Sequence, residues 1–186
     1  KCNSFAGIQP STIGAQYQAL PIPGYEDTHT FHLWDTAGQE RFRTLIPMYT
    51  RNARVVFLFV DVSDRASWHE LTTYWNGVAN AIPGVSKALI ANKTDILNRQ
   101  VTSTELEAFA QKSNMCLVEC CALKHESVQS AIDKIVSKLP IEDMQPQGGG
   151  DLQGVVYLGN HEKNNQQHGS SWLPGWLPSP DSCTIS

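Results

Sequence analysis

Residues 54–61 read RVVFLFVD, a nearly continuous apolar run the length of one β-strand. A strand that is apolar at almost every position is typical of a parallel sheet, in which helices cover both faces. Shorter runs of the same kind follow at 87–91 and 115–119. Between and after them, apolar residues recur at helical spacing over 65–81, from Thr102 or Ser103 to about Lys112, and over 127–139. The alternation predicts an α/β fold, with a mostly parallel sheet and helices on both faces.

The segments upstream of this run predict a hairpin. Residues 15–22 are mildly strand-like, and residues 28–34 alternate apolar and polar side chains as a strand does. Pro21, Pro23 and Gly24 lie between them and favour a turn. Residues 1–14 and 35–44 are rich in turn formers or polar residues, and we expect loops there.

The composition changes near residue 140. Residues 145–182 contain Gly148-Gly149-Gly150, a run of Asn and Gln at 164–167 and four prolines, with one Lys and no Arg. Such a segment is typical of a flexible tail. We therefore predict one domain over 1–143 and a hypervariable tail over 144–186.

The overall composition excludes several classes of protein. Among 186 residues, 41% are apolar, and the formal net charge is −4, so a core can form while clustered positive charge for nucleic acid is lacking. No apolar run approaches the ~20 residues of a membrane-spanning helix, and no signal peptide opens the sequence. Five cysteines without a repeating spacing argue against a disulfide scaffold and against a zinc site, and they favour a reducing compartment.

Polar clusters follow three of the predicted strands, at 35–40, 92–95 and 120–124. In open parallel sheets, ligands bind beyond the carboxyl ends of the strands. We therefore expect the three clusters to converge on one crevice.

Two of these clusters have a chemistry that suits a guanine nucleotide. The carboxylate of Asp95 can accept two hydrogen bonds from the N1–H and N2–H₂ groups of guanine, a donor pair that adenine lacks, while Asn92 bonds another edge of the base and the stem of Lys93 covers its face. Asp35 can hold Mg²⁺, and Gly38 lets a backbone N–H approach a phosphate. Taken alone, each motif also fits an ordinary polar loop or a capped turn.

The order of the motifs resembles the Ras superfamily, and within it the Rab branch. The resemblance covers about residues 1–140. It rests on Ser11-Thr12-Ile13-Gly14, on the uninterrupted stretch from Trp34 to Phe42 (WDTAGQERF), on Asn92-Lys93-Thr94-Asp95 and on Cys121-Ala122-Leu123, in the order of that family. It implies a three-layer fold of the P-loop NTPase (Ras-like) type and a GTP/GDP switch that hydrolyses GTP to GDP and regulates vesicle traffic.

The resemblance also implies residue roles. Thr12 and Asp35 would serve Mg²⁺, Gly38 would contact the γ-phosphate and Gln39 would orient the attacking water. The remaining nucleotide contacts would come from Asn92, Lys93, Asp95, Cys121, Ala122 and Leu123. Tyr17, Trp34 and Tyr49 match an aromatic triad that presents a state-dependent face to effectors, although such residues also serve as core.

Further implications concern partners and place. The resemblance implies a guanine nucleotide exchange factor, a GTPase-activating protein, effectors and a chaperone of the Rab escort or GDP-dissociation-inhibitor type. Cys183-Thr184-Ile185-Ser186 fits a C-a-a-X prenylation motif at Cys183. Together these imply a lipoprotein on the cytoplasmic face of endomembranes, Golgi or endosome, with a cytosolic pool.

The sequence departs from the family pattern at three places. Cys120-Cys121 replaces the usual Thr-Ser, one cysteine stands in the C-a-a-X motif where many Rab proteins carry two, and no G-x-x-x-x-G-K-[ST] phosphate loop occurs among the 186 residues. We expect an N-terminally incomplete sequence (a fragment) of an ordinary Rab protein. The alternatives are a shortened, non-catalytic interaction module that binds no nucleotide, and an inactive chain with a novel tail.

Overall fold

A computed structural model describes residues 15–27, 29–37, 40–51, 53–141 and 151–158. The predicted hairpin is present: β1 (Ala15–Pro21) pairs antiparallel with β2 (Thr30–Thr36), and Gly24 takes a left-handed φ of 80° in the turn between them. After β2, a 3₁₀ helix (Glu40–Leu45) leads into the short helix α1 (Ile46–Thr50). The loop predicted for 35–44 is therefore wrong in its second half, where the local pattern is too short to show helical periodicity.

The predicted alternation of strands and helices follows. β3 (Val55–Asp61) precedes a continuous helical stretch of α2 (Arg65–Glu70), a π-helical turn (Leu71–Trp75) and α3 (Asn76–Asn80). Next come β4 (Ser86–Asn92), α4 (Ser103–Lys112), β5 (Cys116–Glu119) and α5 (His125–Val136). β3, β4 and β5 are parallel neighbours, as a chain of βαβ units requires.

The sheet carries a hydrophobic core on each face. Side chains that alternate along β3 separate the two: Val56 and Leu58 pack with helix residues such as Trp75, whereas Val55 and Phe57 pack in the cluster that contains Ile135 of α5. The apolar run 54–61 is thus buried on both sides, which confirms the three-layer α/β fold. Among the described residues, no helix combines the length and the apolarity that a bilayer crossing demands.

The sixth strand lies where the sequence predicted a tail. β6 (Asp151–Leu158) sits between β2 and β3, parallel to both, so that the order across the sheet is β1-β2-β6-β3-β4-β5. For these eight residues the structure differs from the predicted flexible tail. The apolar run 155–158 is hidden in the composition of the segment because glycines and polar residues flank it.

Candidate functional site

Asn92 joins two loops at the carboxyl end of the sheet. It is the last residue of β4 and is buried, with 4% of its surface exposed. Its Oδ1 accepts a hydrogen bond from the backbone N–H of Ala122 at 3.0 Å and lies 3.8 Å from the Sγ of Cys120, whose thiol donates to it. A buried amide oxygen that is satisfied in this way fixes the loop after β5 against the loop after β4.

Backbone bonds strengthen the same junction. The N–H of Cys120 donates to the carbonyl of Ala91 at 2.8 Å, and the N–H of Thr94 donates to the carbonyl of Cys120 at 3.3 Å. At the start of α5, the hydroxyl of Ser127 accepts from the N–H of Cys121 at 2.9 Å. The loops 92–95 and 120–124 therefore form one connected surface, as the strand-end rule predicts.

Lys93 turns the chain at this surface. Its φ of 63° lies in the left-handed region, which costs a residue with a Cβ roughly 1–2 kcal/mol and indicates a local constraint. Its Nζ lies 2.6 Å from Oδ2 of Asp61, at the end of β3, and Oδ1 of Asp61 accepts from the backbone and the hydroxyl of Ser63. The ion pair thus holds the lysine side chain against the end of β3.

Asp95 and Cys121 are hydrogen-bonded neighbours. Burial and the bond that its thiol donates to Asp95 raise the pKa of Cys121, and burial raises the pKa of Cys120 to about 12. Both cysteines therefore stay protonated near neutral pH and act as hydrogen-bond donors. Asp95 itself is exposed, so its carboxylate is accessible to a ligand.

Asp35 lies on the other half of the sheet. It is near the end of β2, is 1% exposed and stands level with Phe57 of β3, because both residues pair with Tyr157 of β6. Asp61 is four residues further along β3, about 13 Å. A buried carboxylate at the carboxyl end of β2 suits a site for Mg²⁺, because proteins bind this ion through one or two carboxylates together with phosphate oxygens and water. No cluster of three or more His, Cys, Asp or Glu residues occurs in the part of the chain that the structure describes.

The residues predicted for nucleotide binding, metal binding, catalysis and lipidation fall into three groups. The first is brought together in the crevice and consists of Asn92, Lys93, Asp95, Cys121, Ala122 and the exposed Leu123. Asp35 stands apart at the end of β2. The others, Thr12, Gly38, Gln39 and Cys183, lie outside the described residues.

The chain just after Gln39 is anchored to the helical stretch 65–80. The guanidinium of Arg43 stacks over the ring of Tyr74 at 4.1 Å and forms an ion pair with Glu70. An arginine that is both stacked and paired holds its backbone firmly. These contacts of Arg43 fix the chain four residues after Gln39, the predicted catalytic residue.

The predicted aromatic triad is contiguous. The ring centroids of Tyr17 and Trp34 are 5.0 Å apart, and those of Trp34 and Tyr49 are 5.3 Å apart. Tyr17 is 45% exposed, and its hydroxyl is 2.5 Å from Nδ1 of His32. The three rings therefore link β1, β2 and α1 into one partly exposed aromatic surface.

Sequence reasoning missed two residues that shape the crevice. Asp61 pairs with Lys93, and Ser127 holds the N–H of Cys121. A charged residue at the end of an apolar strand was a usable signal for Asp61, since it stands beside Asn92 in the strand register. For Ser127, the sequence indicates a position near the start of a predicted helix and contains no pattern that would assign it to the site.

Comparisons with known proteins agree with this geometry. The sequence profile of the Ras family matches residues 2–141. The GTP-binding protein ypt5 of Schizosaccharomyces pombe is 33% identical over 172 residues, which are 90% of this chain and 82% of that protein. Ras-related protein Rab-18 of Lymnaea stagnalis is 35% identical over 74% of this chain and 69% of its own length, and Rab-5A of Dictyostelium discoideum is 30% identical over 87% and 82%. The profile match, these relatives and the three-layer fold together show that the chain belongs to the Ras family of small GTPases, in its Rab branch.

Proposed function

We propose that the crevice formed by the loops 92–95 and 120–124 reads guanine, and that this Rab protein works as a GTP-binding switch in vesicle traffic. The observation that carries the proposal is the bond from the N–H of Ala122 to Oδ1 of Asn92, which joins the two loops into one surface beside Asp95. The carboxylate of Asp95 would accept from N1–H and N2–H₂ of guanine. An adenine base would leave that carboxylate unpaired, which is the basis of the specificity.

The phosphate half of the site rests on the family resemblance. Asp35 would hold Mg²⁺ through water, Thr12 would ligate it and Gly38 would bond the γ-phosphate. Gln39 would orient the attacking water, and hydrolysis would release both loops. Mg²⁺ supplies neutralisation of charge on the phosphates when it is bound.

The aromatic surface of Tyr17, Trp34 and Tyr49 would be the face that effectors read. It lies on the elements next to the predicted switch segments, so a change of nucleotide would reach it directly. An exchange factor, a GTPase-activating protein and an escort-type chaperone complete the expected partners. Prenylation at Cys183 would attach the protein to the cytoplasmic face of Golgi or endosomal membranes, with a cytosolic pool bound to the chaperone.

The substitution Asp95→Asn tests the proposal. Because Asn presents one acceptor and one donor to a base edge that offers two donors, we expect the Kd for GDP to rise at least about tenfold, the equivalent of ~1.4 kcal/mol. Titration with a fluorescent guanine nucleotide measures the change. Asp133→Asn is the matched control, because Asp133 is exposed on α5 and accepts from Gln129 away from the crevice.

The measurement uses the protein with the phosphate loop that the family pattern places upstream, because the 186 residues contain none. Failure of that protein to bind a guanine nucleotide would refute the proposal and favour a non-catalytic interaction module. A mutant that keeps the affinity of the wild type would remove Asp95 from the site. An equal loss in the Asp133→Asn control would point to general destabilisation instead of base recognition.

A further inference from the structure

The helical stretch 65–80 contains one turn of an unusual kind. The N–H of Asn76, at the start of α3, donates to the carbonyl of Leu71, so the π-helical turn Leu71–Trp75 closes over five residues where an α-helix closes over four. Single turns of this type inside α-helices are rare, and they are frequent at functional sites. The turn therefore indicates a local requirement that a regular α-helix would not meet.

Two threonines stabilise the π-helical turn from within the helix. The hydroxyl of Thr72 donates to the carbonyls of Trp68 and His69, both at 3.0 Å, and the hydroxyl of Thr73 donates to the carbonyl of His69 at 2.7 Å. A turn closed over five residues interrupts the regular ladder of backbone bonds, and these hydroxyls supply donors next to the interruption. Consecutive β-branched residues also lower the preference of this segment for the α-helix.

The π-helical turn changes which side chains share one side of the helix. In an α-helix, residues four apart differ by about 40° around the axis, whereas residues five apart differ by about 140°. When a turn closes over five residues, residues five apart lie one above the other. Trp75, five residues after Glu70, therefore comes to the side of the helix that carries Glu70 and Tyr74.

These three side chains surround the guanidinium group of Arg43. Glu70 forms an ion pair with it, and the ring centroids of Tyr74 and Trp75 lie 4.1 and 5.6 Å from its central carbon. The two rings are 4.8 Å apart and nearly perpendicular, at 78°. Because Trp75 is fully buried and the side chain of Glu70 is 20% exposed, water screens these attractions only in part. Glu70, Tyr74 and Trp75 together form what we call the Arg43 cage.

The Arg43 cage acts on the segment that follows the predicted catalytic residue. Arg43 lies in the 3₁₀ helix Glu40–Leu45, and this helix begins one residue after Gln39 in the sequence. Four residues of a 3₁₀ helix span only about 8 Å. An anchor at Arg43 therefore restricts the position of the first residue of this helix.

We propose that the Arg43 cage, built on the π-helical turn, positions the start of the 3₁₀ helix Glu40–Leu45 for the hydrolysis of GTP. Arg43, Tyr74 and Trp75 are positioning residues in this assignment, because they hold the chain next to Gln39 and none of them is assigned a contact with the nucleotide. The functional half of the inference rests on the proposed GTP switch. The anchoring half concerns the fold alone, so it is tested without nucleotide hydrolysis.

A pair of substitutions at Tyr74 tests the anchoring, in the protein that carries the upstream phosphate loop. Tyr74→Leu removes the aromatic face under the guanidinium, whereas Tyr74→Phe keeps it. We expect the backbone amides of residues 40–45 to exchange with solvent at least about tenfold faster in Tyr74→Leu and at an unchanged rate in Tyr74→Phe. The amides of β4 are the internal reference, because a general loss of stability would accelerate them as well. Unchanged exchange of residues 40–45 in Tyr74→Leu would overturn the proposal.

A substitution at Arg43 tests the same contact from its other side. Arg43→Lys keeps the positive charge beside Glu70 and loses the planar group that stacks on the rings, so we expect the exchange of residues 40–45 to rise here too. Arg65→Lys is the matched control, because Arg65 pairs with Glu105 and lies outside the cage. Slow exchange retained in Arg43→Lys would show that charge alone holds the segment and would overturn the role of the aromatic walls.

The functional half is tested by comparing the rate of hydrolysis with nucleotide affinity. We expect the single-turnover hydrolysis of GTP to be at least about fivefold slower in Tyr74→Leu, with the Kd for GDP within twofold of the unmodified protein and the rate restored in Tyr74→Phe. An unchanged rate, or an equal loss of GDP affinity, would overturn the positioning role. If the unmodified protein binds no guanine nucleotide, the proposed function fails, and the exchange of residues 40–45 decides on the cage by itself.

Discussion

The two thiols at 120 and 121 are the main chemical departure of the crevice from the Rab pattern. Cys120 donates to Asn92 and Cys121 donates to Asp95, so each thiol stands where it supports a residue that is expected to read guanine. A thiol is a weaker donor than a hydroxyl, and its bonds are longer. The hydrogen bonds that these two side chains donate are therefore weaker than those that hydroxyl groups would donate at the same positions.

The substitution Cys121→Ser tests this at the level of one atom. A hydroxyl that donates to Asp95 should fix the carboxylate more firmly, and a net gain of about 0.5–1.5 kcal/mol corresponds to roughly two- to tenfold tighter GDP binding. Isothermal titration with GDP measures the change. Cys116→Ser serves as the control, because Cys116 lies in β5 outside the crevice and its change should leave the affinity unaltered. A weaker affinity in Cys121→Ser would show that the thiol is the better partner for Asp95.

At the level of elements, α4 shows how completely a local signal can specify a helix start. The hydroxyl of Thr102 accepts from the N–H of Glu105 at 3.2 Å, and Oε2 of Glu105 accepts from the N–H of Thr102 at 3.0 Å. Arg65, at the start of α2, adds an ion pair to Glu105 at 2.6 Å. The bond from the Thr102 N–H, with help from Arg65, lowers the pKa of Glu105 to about 2.

This capping box predicts a pH-dependent stability. Because the pKa of Glu105 is lower in the folded chain than in the unfolded chain, its ionised form stabilises the fold above about pH 4.5, and that contribution disappears as the pH falls towards 2. Glu105→Gln should therefore lower the urea midpoint at neutral pH, and the difference from the unmodified chain should shrink as the pH falls through that window. Glu107→Gln, on the same helix but outside the box, is the control. A difference that stays constant with pH would contradict the assignment.

Some elements are determined by residues close together in the sequence, whereas others depend on pairing with distant residues. The start of α4 and the strand β3 were predictable, because four residues suffice for a capping box and the run 54–61 carries its own burial pattern. The place of β6 was not, because it depends on pairing with residues as distant as Thr30. In the site, the strand-end rule predicted that the clusters 35–40, 92–95 and 120–124 would converge. The described residues bring the last two together, whereas Asp35 stands apart on β2. The ion pair of Asp61 with Lys93 depends on a left-handed turn that no local pattern announces.

At the level of the whole molecule, β3 lies between two hydrophobic cores and contributes side chains to both. Leu58 is fully buried on the side of α4 and the helical stretch 65–80, and Phe57 is 8% exposed on the side of α5. Because one strand contributes to both clusters, loss of packing on one face also weakens the element that organises the other. The two cores should therefore unfold together.

The substitution Leu58→Ala tests how much the packing of β3 contributes to the free energy of unfolding and whether the two cores unfold together. Removal of a fully buried leucine side chain costs about 2–5 kcal/mol, which is a large part of the ~5–15 kcal/mol stability of a typical domain. Urea unfolding followed by tryptophan fluorescence and by circular dichroism should give one lowered midpoint by both methods. Leu97→Ala, at a side chain that is 102% exposed, should change the free energy of unfolding by less than about 0.5 kcal/mol. Separate midpoints for the two signals would contradict a single cooperative unit.

The position of β6 also has a consequence for folding during synthesis on the ribosome. Thr30 and its partner Asp151 are separated by about 120 residues, so at about 5–20 residues per second a ribosome delivers the missing strand roughly 6–24 s after β2. During that interval β2 and β3 lack the ladders that they form with β6, and an unpaired strand edge is the kind of surface that invites aggregation. A stop codon in the stretch that encodes residues 142–150 would spare every described helix and five of the six described strands, and would remove the strand that pairs with both β2 and β3.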